Sequence, residues 1–136
     1  MRIFICASKH CYQHVERVKE KLEEKGHIVT VPNSFEEPMK EEELRSLGVD
    51  AHREWKRGML EKQKAEVDAN DAILVLNFEK NGQQNYIGGA TFLEIYRAFD
   101  TGKPVYLYNA IPEGMLYDEL LGMGVIVIDS DLTKIV

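Results

Sequence analysis

The sequence predicts an α/β domain, a three-layer sandwich of the flavodoxin-like or Rossmann-like kind with a five-stranded, mainly parallel sheet in the order 2-1-3-4-5. Three observations carry that expectation. Short apolar runs rich in β-branched residues alternate with longer stretches of helical spacing, the pattern of successive strand–helix–strand units. The chain has 136 residues, the size of one domain (1–136), and a domain of that size can hold a core without staples. Apolar residues make up 44% and charged residues 29%, the mix of a globule rather than a fibre or a tail.

The elements follow in order. Ile3-Phe4-Ile5-Cys6-Ala7 reads as a first, buried strand. After a polar loop, Val15, Val18 and Leu22 fall at helical spacing, and Gly26 stops that helix. His27 to Val31 is a second strand ended by Pro32-Asn33, and a right-handed crossover joins the two. Residues 36–54 hold seven acids against three bases, the composition of a solvated face. Helices are expected near 40–47 and 50–68 with Gly48 between them, the second with a stripe of Trp55, Met59 and Leu60. The whole stretch from Ser34 to Asn70 is too long for a simple connection and points to a lid or a partner surface. Asp71 to Asn77 is the third strand. The helix from Ala90 to Asp100 carries Phe92, Ile95, Tyr96 and Phe99 at i, i+3, i+4 and i+7, a stripe expected to pack on the sheet. Val105 to Asn109, a short helix near 114–121, and Val125 to Ile128 complete the count.

Charge and cysteine content narrow the classes. A net charge of −6 argues against a duplex-binding protein, which needs clustered Lys and Arg, while leaving room for a local phosphate pocket. Cys6 and Cys11 cannot build a disulfide framework, and no Cys-x-x-Cys pair exists, so a reducing cytosol is the simplest setting. The apolar start breaks at Lys9-His10, too early for a signal peptide, and no run approaches a membrane span. The expectation is a cytoplasmic protein without membrane or nucleic-acid partners.

In parallel α/β sheets ligands sit beyond the carboxyl ends of the strands, which selects the loops Ala7–Tyr12, Pro32–Pro38, Phe78–Gly89 and Asn109–Gly114. Two look specialised. In the first, Ala7, Ser8 and Lys9 combine small residues, a hydroxyl and a cation ahead of a helix start that offers N–H groups to an anion. A cysteine-phosphatase loop is excluded, because Tyr12 stands where its Arg would follow Cys6. His10, Cys11 and His14 lack metal-ligand spacing, so no metal is expected. In the second loop Asn85 and Tyr86 precede Gly88-Gly89, where the backbone can approach a ligand closely. Glu94 has three readings there: a carboxylate pointing back toward the strand ends, the last member of a capping box begun by Thr91, or a partner for Arg97.

The block Asn85-Tyr86-Ile87-Gly88-Gly89-Ala90-Thr91-Phe92-Leu93-Glu94, with the strand Asp71–Asn77 before it and Gly102-Lys103-Pro104-Val105 after it, resembles the nucleoside 2-deoxyribosyltransferase-like superfamily. That superfamily includes 2′-deoxynucleoside 5′-phosphate N-hydrolases and CMP hydrolases, and the specific match runs from Asp71 to about Pro112. The resemblance implies that Glu94 attacks C1′ of a (deoxy)ribose through an oxocarbenium-like transition state. It also implies that Ala7, Ser8 and Lys9 bind sugar or 5′-phosphate, with Gly88 and Gly89 contributing N–H groups and Asn85 and Tyr86 lining the substrate. Two supporting groups of the family are unmatched. No acid stands near Gln63-Lys64, where Glu61, Glu66 or Asp68 would have to substitute. No aromatic stands at Ala7 or Ser8, which leaves Tyr12 or Tyr86 to supply a hydroxyl. Asp71 opens its strand and reads as structural.

The expected function is therefore an N-glycosidase-type hydrolase acting on a nucleoside or its 5′-monophosphate, with a transferase less favoured and no cofactor. It requires Glu94 to be ionised, to face a cleft and to lie near Ser8. The alternative is a nucleotide- or nucleotide-sugar-binding module without turnover. A flavodoxin-like electron carrier is a third reading, disfavoured because the first loop lacks a run of Ser and Thr hydroxyls. The superfamily resemblance also implies a homodimer or larger homo-oligomer, with Trp55, Met59 and Leu60 as its contact.

Overall fold

A computed structural model describes residues 1–136. Five strands, β1 (Arg2–Cys6), β2 (Ile28–Thr30), β3 (Ala72–Val75), β4 (Val105–Leu107) and β5 (Ile126–Val127), form one sheet in the order β2-β1-β3-β4-β5. Every neighbouring pair is parallel, with Ile3 opposite both Val29 and Ala72 and Leu74 opposite Tyr106. Five α-helices connect them: α1 (Val15–Glu24), α2 (Lys40–Ser46), α3 (Val49–Ala69), α4 (Gly89–Asp100) and α5 (Tyr117–Gly122). Two 3-10 turns, Lys9–His14 and Leu132–Lys134, add to these. The flavodoxin-like sandwich and its strand order agree with the sequence reading.

Strand alternation divides the core into two layers. Ile3, Ile5 and Leu74 face Val15, Val18 and Leu22 of α1 together with Leu132 and Ile135. Phe4, Cys6, Ile73 and Val75 face the opposite way, onto Val67 of α3, Ile95 and Ala98 of α4 and Leu120 of α5. Strands β1 and β3 are buried on both faces, which is why they read as unbroken apolar runs. Asp71 precedes β3 and accepts the backbone N–H of Arg2 at 2.8 Å, a structural role at the amino edge of the sheet.

Two helices differ from expectation. In α4 the expected stripe is only partly realised: the buried face is Thr91, Glu94, Ile95 and Ala98, while Tyr96 is 50% and Phe99 47% exposed. Small Thr91 and Ala98 let the helix lie close on the sheet, and aromatic rings in their place would hold it off. In α3, a 21-residue helix, only Gln63 and Val67 are buried, and Trp55, Met59 and Leu60 are partly buried. The end of α3 is anchored by the Lys103 ammonium, which donates to the carbonyls of Val67, Asp68 and Asn70 at 2.9, 2.7 and 2.6 Å. No helix is long and apolar enough to cross a membrane.

Candidate functional site

The carboxyl ends of β1, β3 and β4 meet at the point where strand order reverses, and two clefts open there. The larger holds about 570 Å³, within the usual size for small-molecule sites. One wall is the loop after β3 (Gln83, Gln84, Tyr86, Ile87), the other is the segment after β4 (Pro112, Met115, Leu116), and Phe92 of α4 also lines it. Asn77 braces the two walls. Its Nδ2 donates to the carbonyls of Asn109 and Ala110 at 3.2 and 2.9 Å, and its Oδ1 accepts the Asn109 N–H at 2.9 Å.

The smaller cleft, of about 200 Å³, is polar and shares Gly88 and Gly89 with the larger. Ala7, Ser8 and Lys9 line it from β1, Ser34 and Pro38 from the loop after β2, Glu41 from α2, and Gly88 to Thr91 from the start of α4. Gly88 is the N-cap of α4 and no side chain caps it, so the N–H groups of Gly89, Ala90 and Thr91 have no acceptor. A 12-residue helix thus presents its positive end to the cleft. A Cβ built on Gly89 meets nothing within 4 Å, so space lies open beside those donors.

The charges around this cleft are arranged, not free. Burial alone would raise the Glu41 carboxyl, yet the hydrogen bond with His52 Nε2 at 2.9 Å, with Lys56 and Arg45, holds it below its ordinary value. Lys9 is ion-paired with Glu42. Lys80 lies 3.4 Å from the Tyr86 hydroxyl and 4.4 Å over its ring, with no carboxylate beside it. Partial burial, then the charges of Lys80 and Lys9, push the His10 imidazole down. Each cleft also carries one acid on its lining, Glu41 in the smaller and Glu113 in the larger.

Ala7, Ser8, Lys9, Gly88 and Gly89 line the smaller cleft together, and Tyr86 lines the larger. Asn85 lines neither cleft; it takes a left-handed turn at φ 57° that an Asn tolerates. Ser34 and Pro112 fall within the Pro32–Pro38 and Asn109–Gly114 loops that strand order selects, whereas Glu41, Met115 and Leu116 lie beyond them. Hydroxyls reach the smaller cleft from separate elements, Ser8 and Ser34, with Thr91 also on its lining. Hydroxyls drawn from three separate segments leave no run of Ser and Thr in the first loop.

Glu94 lies apart from both clefts. It floors a groove of about 220 Å³ between α3 and α4, with Leu60, Gln63, Leu93 and Arg97 around it. The side chain is 8% exposed and lies beside the buried Cys6 thiol, which itself donates to the Phe4 carbonyl. Burial is the main cause that pushes its carboxyl up to about 8, so it is protonated at neutral pH. Burial pushes the Cys6 thiol up as well, with Glu94 adding to it. Neither structural alternative holds either. Gly88, not Thr91, is the N-cap, and Arg97 makes a two-bonded pair with Asp68 at 2.8 and 2.7 Å.

No protein-family model and no curated protein matches the chain. Among solved structures it is similar to FerB, a flavoenzyme NAD(P)H:(acceptor) oxidoreductase from Paracoccus denitrificans. The two share 15% identity over 96% of this chain and 76% of that one, with a TM-score of 0.50, a likeness of fold. The resemblance to the nucleoside 2-deoxyribosyltransferase-like superfamily is thereby corrected, and with it the hydrolase and N-glycosidase reading; the nucleotide-binding alternative is supported no better. The geometry gives a physical reason. A nucleophile for an oxocarbenium-like centre must be ionised and exposed to the sugar, whereas burial keeps Glu94 neutral and it lines neither cleft.

Proposed function

We propose that this chain binds a flavin phosphate, in place of the cofactor-free chain expected from the sequence. The observation that carries this reading is the joined pair of clefts. Three unpartnered N–H groups at the start of α4 face a polar cleft, which continues past Gly88-Gly89 into an apolar-walled cleft of about 570 Å³. That pairing suits a planar ring carrying an anionic tail. A flavin is favoured among such ligands because the fold neighbour is named as a flavoenzyme.

The donor set fits a phosphate monoester. The Gly89, Ala90 and Thr91 N–H groups and the Ser8 and Ser34 hydroxyls donate, and Lys9 adds a cation. Glu41 would oppose an anion, but His52, Arg45 and Lys56 cover its charge. In the larger cleft Tyr86, Phe92, Ile87 and Leu116 offer apolar surface to a ring and keep water from it. A bound flavin would supply one- and two-electron transfer at this edge of the sheet. The unpaired cysteines suit a reducing compartment, and we place the protein's action in the cytoplasm.

Fluorescence titration with FMN and with riboflavin tests the reading. FMN is expected to bind saturably, and riboflavin about 10-fold more weakly, because loss of the phosphate removes ~1.4 kcal/mol or more. FMN left unbound at millimolar concentration would overturn it. Glu42→Gln releases Lys9 from its ion pair, whose side chains are 35% and 32% exposed, and is expected to tighten FMN binding about 5-fold, on the order of 1 kcal/mol. The same titration reads it, and riboflavin affinity should not change.

A further inference from the structure

Helix α4 lies between α3 and α5 in the layer that covers one face of the sheet; Val67, Ile95, Ala98 and Leu120 of the three helices share one core. Its outward side carries Leu93, Tyr96 and Phe99 at successive i, i+3 positions, 50%, 50% and 47% exposed. The Tyr96 and Phe99 rings lie 6.1 Å apart, tilted against each other on the surface. Half-exposed side chains of this size present about 300 Å² of apolar surface together, as much as the largest patch on many monomers. Beside them runs α3, 21 residues long, with only Gln63 and Val67 buried.

Charge indicates what covers this face. The chain as a whole carries −6, which opposes the approach of a second copy. Helix α3 holds five acidic and five basic side chains, and α4 adds Arg97, Asp100 and the buried Glu94. With Glu94 protonated the two helices together carry no net charge. The face is also rigid: Arg97 and Asp68 clamp α4 to α3 through two hydrogen bonds, and Lys103 fixes the end of α3. A rigid, neutral, apolar-centred face loses little on ordering when it meets its own copy.

We propose that this α3–α4 face is the interface between two copies of the chain, with Leu93, Tyr96 and Phe99 at its centre. Two-fold symmetry sets the apolar side of α4 against the same side of its partner. The three side chains form the dry centre, and α3, about 30 Å long, supplies the rim that brings the contact to ~800 Å² per copy. The groove floored by Glu94 then lies beneath the contact.

Size-exclusion chromatography with light scattering on the full chain tests this. At about 50 µM the protein is expected to weigh about 31 kDa, twice the 15.6 kDa of one chain. The double variant Tyr96→Glu/Phe99→Glu should run as a monomer with unchanged far-UV circular dichroism, and Leu93→Arg alone should weaken the dimer at least 10-fold. Leu47→Glu, at a site 74% exposed at the end of α2, should leave the dimer intact. A parent protein that stays monomeric assigns the face to a different partner and overturns the proposal. So does a dimer that survives both sets of substitutions, or one that Leu47→Glu disrupts equally. None of these outcomes depends on flavin binding.

Discussion

Replacing Glu94 by Gln is expected to stabilise the fold at neutral and alkaline pH and to change little near pH 4. The carboxyl is enclosed beside Cys6, burial pushes it up to about 8, and Lys56 is the cation that favours its ionised form. Its charge would also act on Tyr12, whose phenol is pushed up to about 12, first by its own burial and then by Glu94. Below the ordinary carboxyl value of 4.5, folded and unfolded chains both hold the proton, and the stability that this group contributes is fully present. As pH rises the unfolded chain gives up the proton first, while the folded chain keeps it. Stability therefore falls between pH 4.5 and about 8, then levels off once the folded chain also ionises. At 1.36 kcal/mol per unit the loss reaches roughly 3 kcal/mol at pH 7. Gln has no proton to release and keeps the size of the side chain, so the variant does not share this loss. Urea unfolding of both proteins at pH 4.5, 7 and 8.5 reads the difference. Equal stabilities at pH 8.5 would mean that the folded carboxyl titrates at its ordinary value, without the upward push of burial.

The same residue marks where sequence reasoning stopped. Strands β1 and β3 were legible because burial on both faces leaves an unbroken apolar run, and Gly48 marked the break between α2 and α3. Loop positions followed from strand order, which put Ala7–Tyr12 and Phe78–Gly89 at the same edge of the sheet. The phase of α4 did not follow. Aromatic residues outweigh Thr91 and Ala98 in any hydrophobic stripe, yet close packing on the sheet favours the small side chains. Glu94 then travels inward with Thr91 and Ala98, and nothing local in the sequence signals that a carboxyl will be neutral. The Asn85–Glu94 block carried a family resemblance whose chemistry needs the opposite state of that carboxyl. Ser34, Glu41 and the wall formed by Pro112, Met115 and Leu116 join the site only through the tertiary fold. Their spacing along the chain carries no sign of it.

Asn77→Ala is expected to give the other large effect, with the opposite sign. Asn77 follows β3 and is fully enclosed. Its amide bonds the carbonyls of Asn109 and Ala110 and the N–H of Asn109, and Asn109 Nδ2 returns a bond to the Asn77 carbonyl at 3.0 Å. Truncation removes three of these bonds and strands a buried N–H, a loss of about 3 kcal/mol by urea unfolding. Because the segments after β3 and β4 are the two walls of the larger cleft, the same bonds set its width. Below its own unfolding transition, the variant should bind FMN about 10-fold more weakly if the flavin reading holds. Asn77→Asp separates the bonds from the volume. It keeps the shape but turns a carboxylate toward two carbonyl oxygens, so at pH 7 it should be at least as destabilised as the Ala variant. An Asp variant close to the parent in stability would show that packing, rather than donation from Nδ2, holds the two walls together.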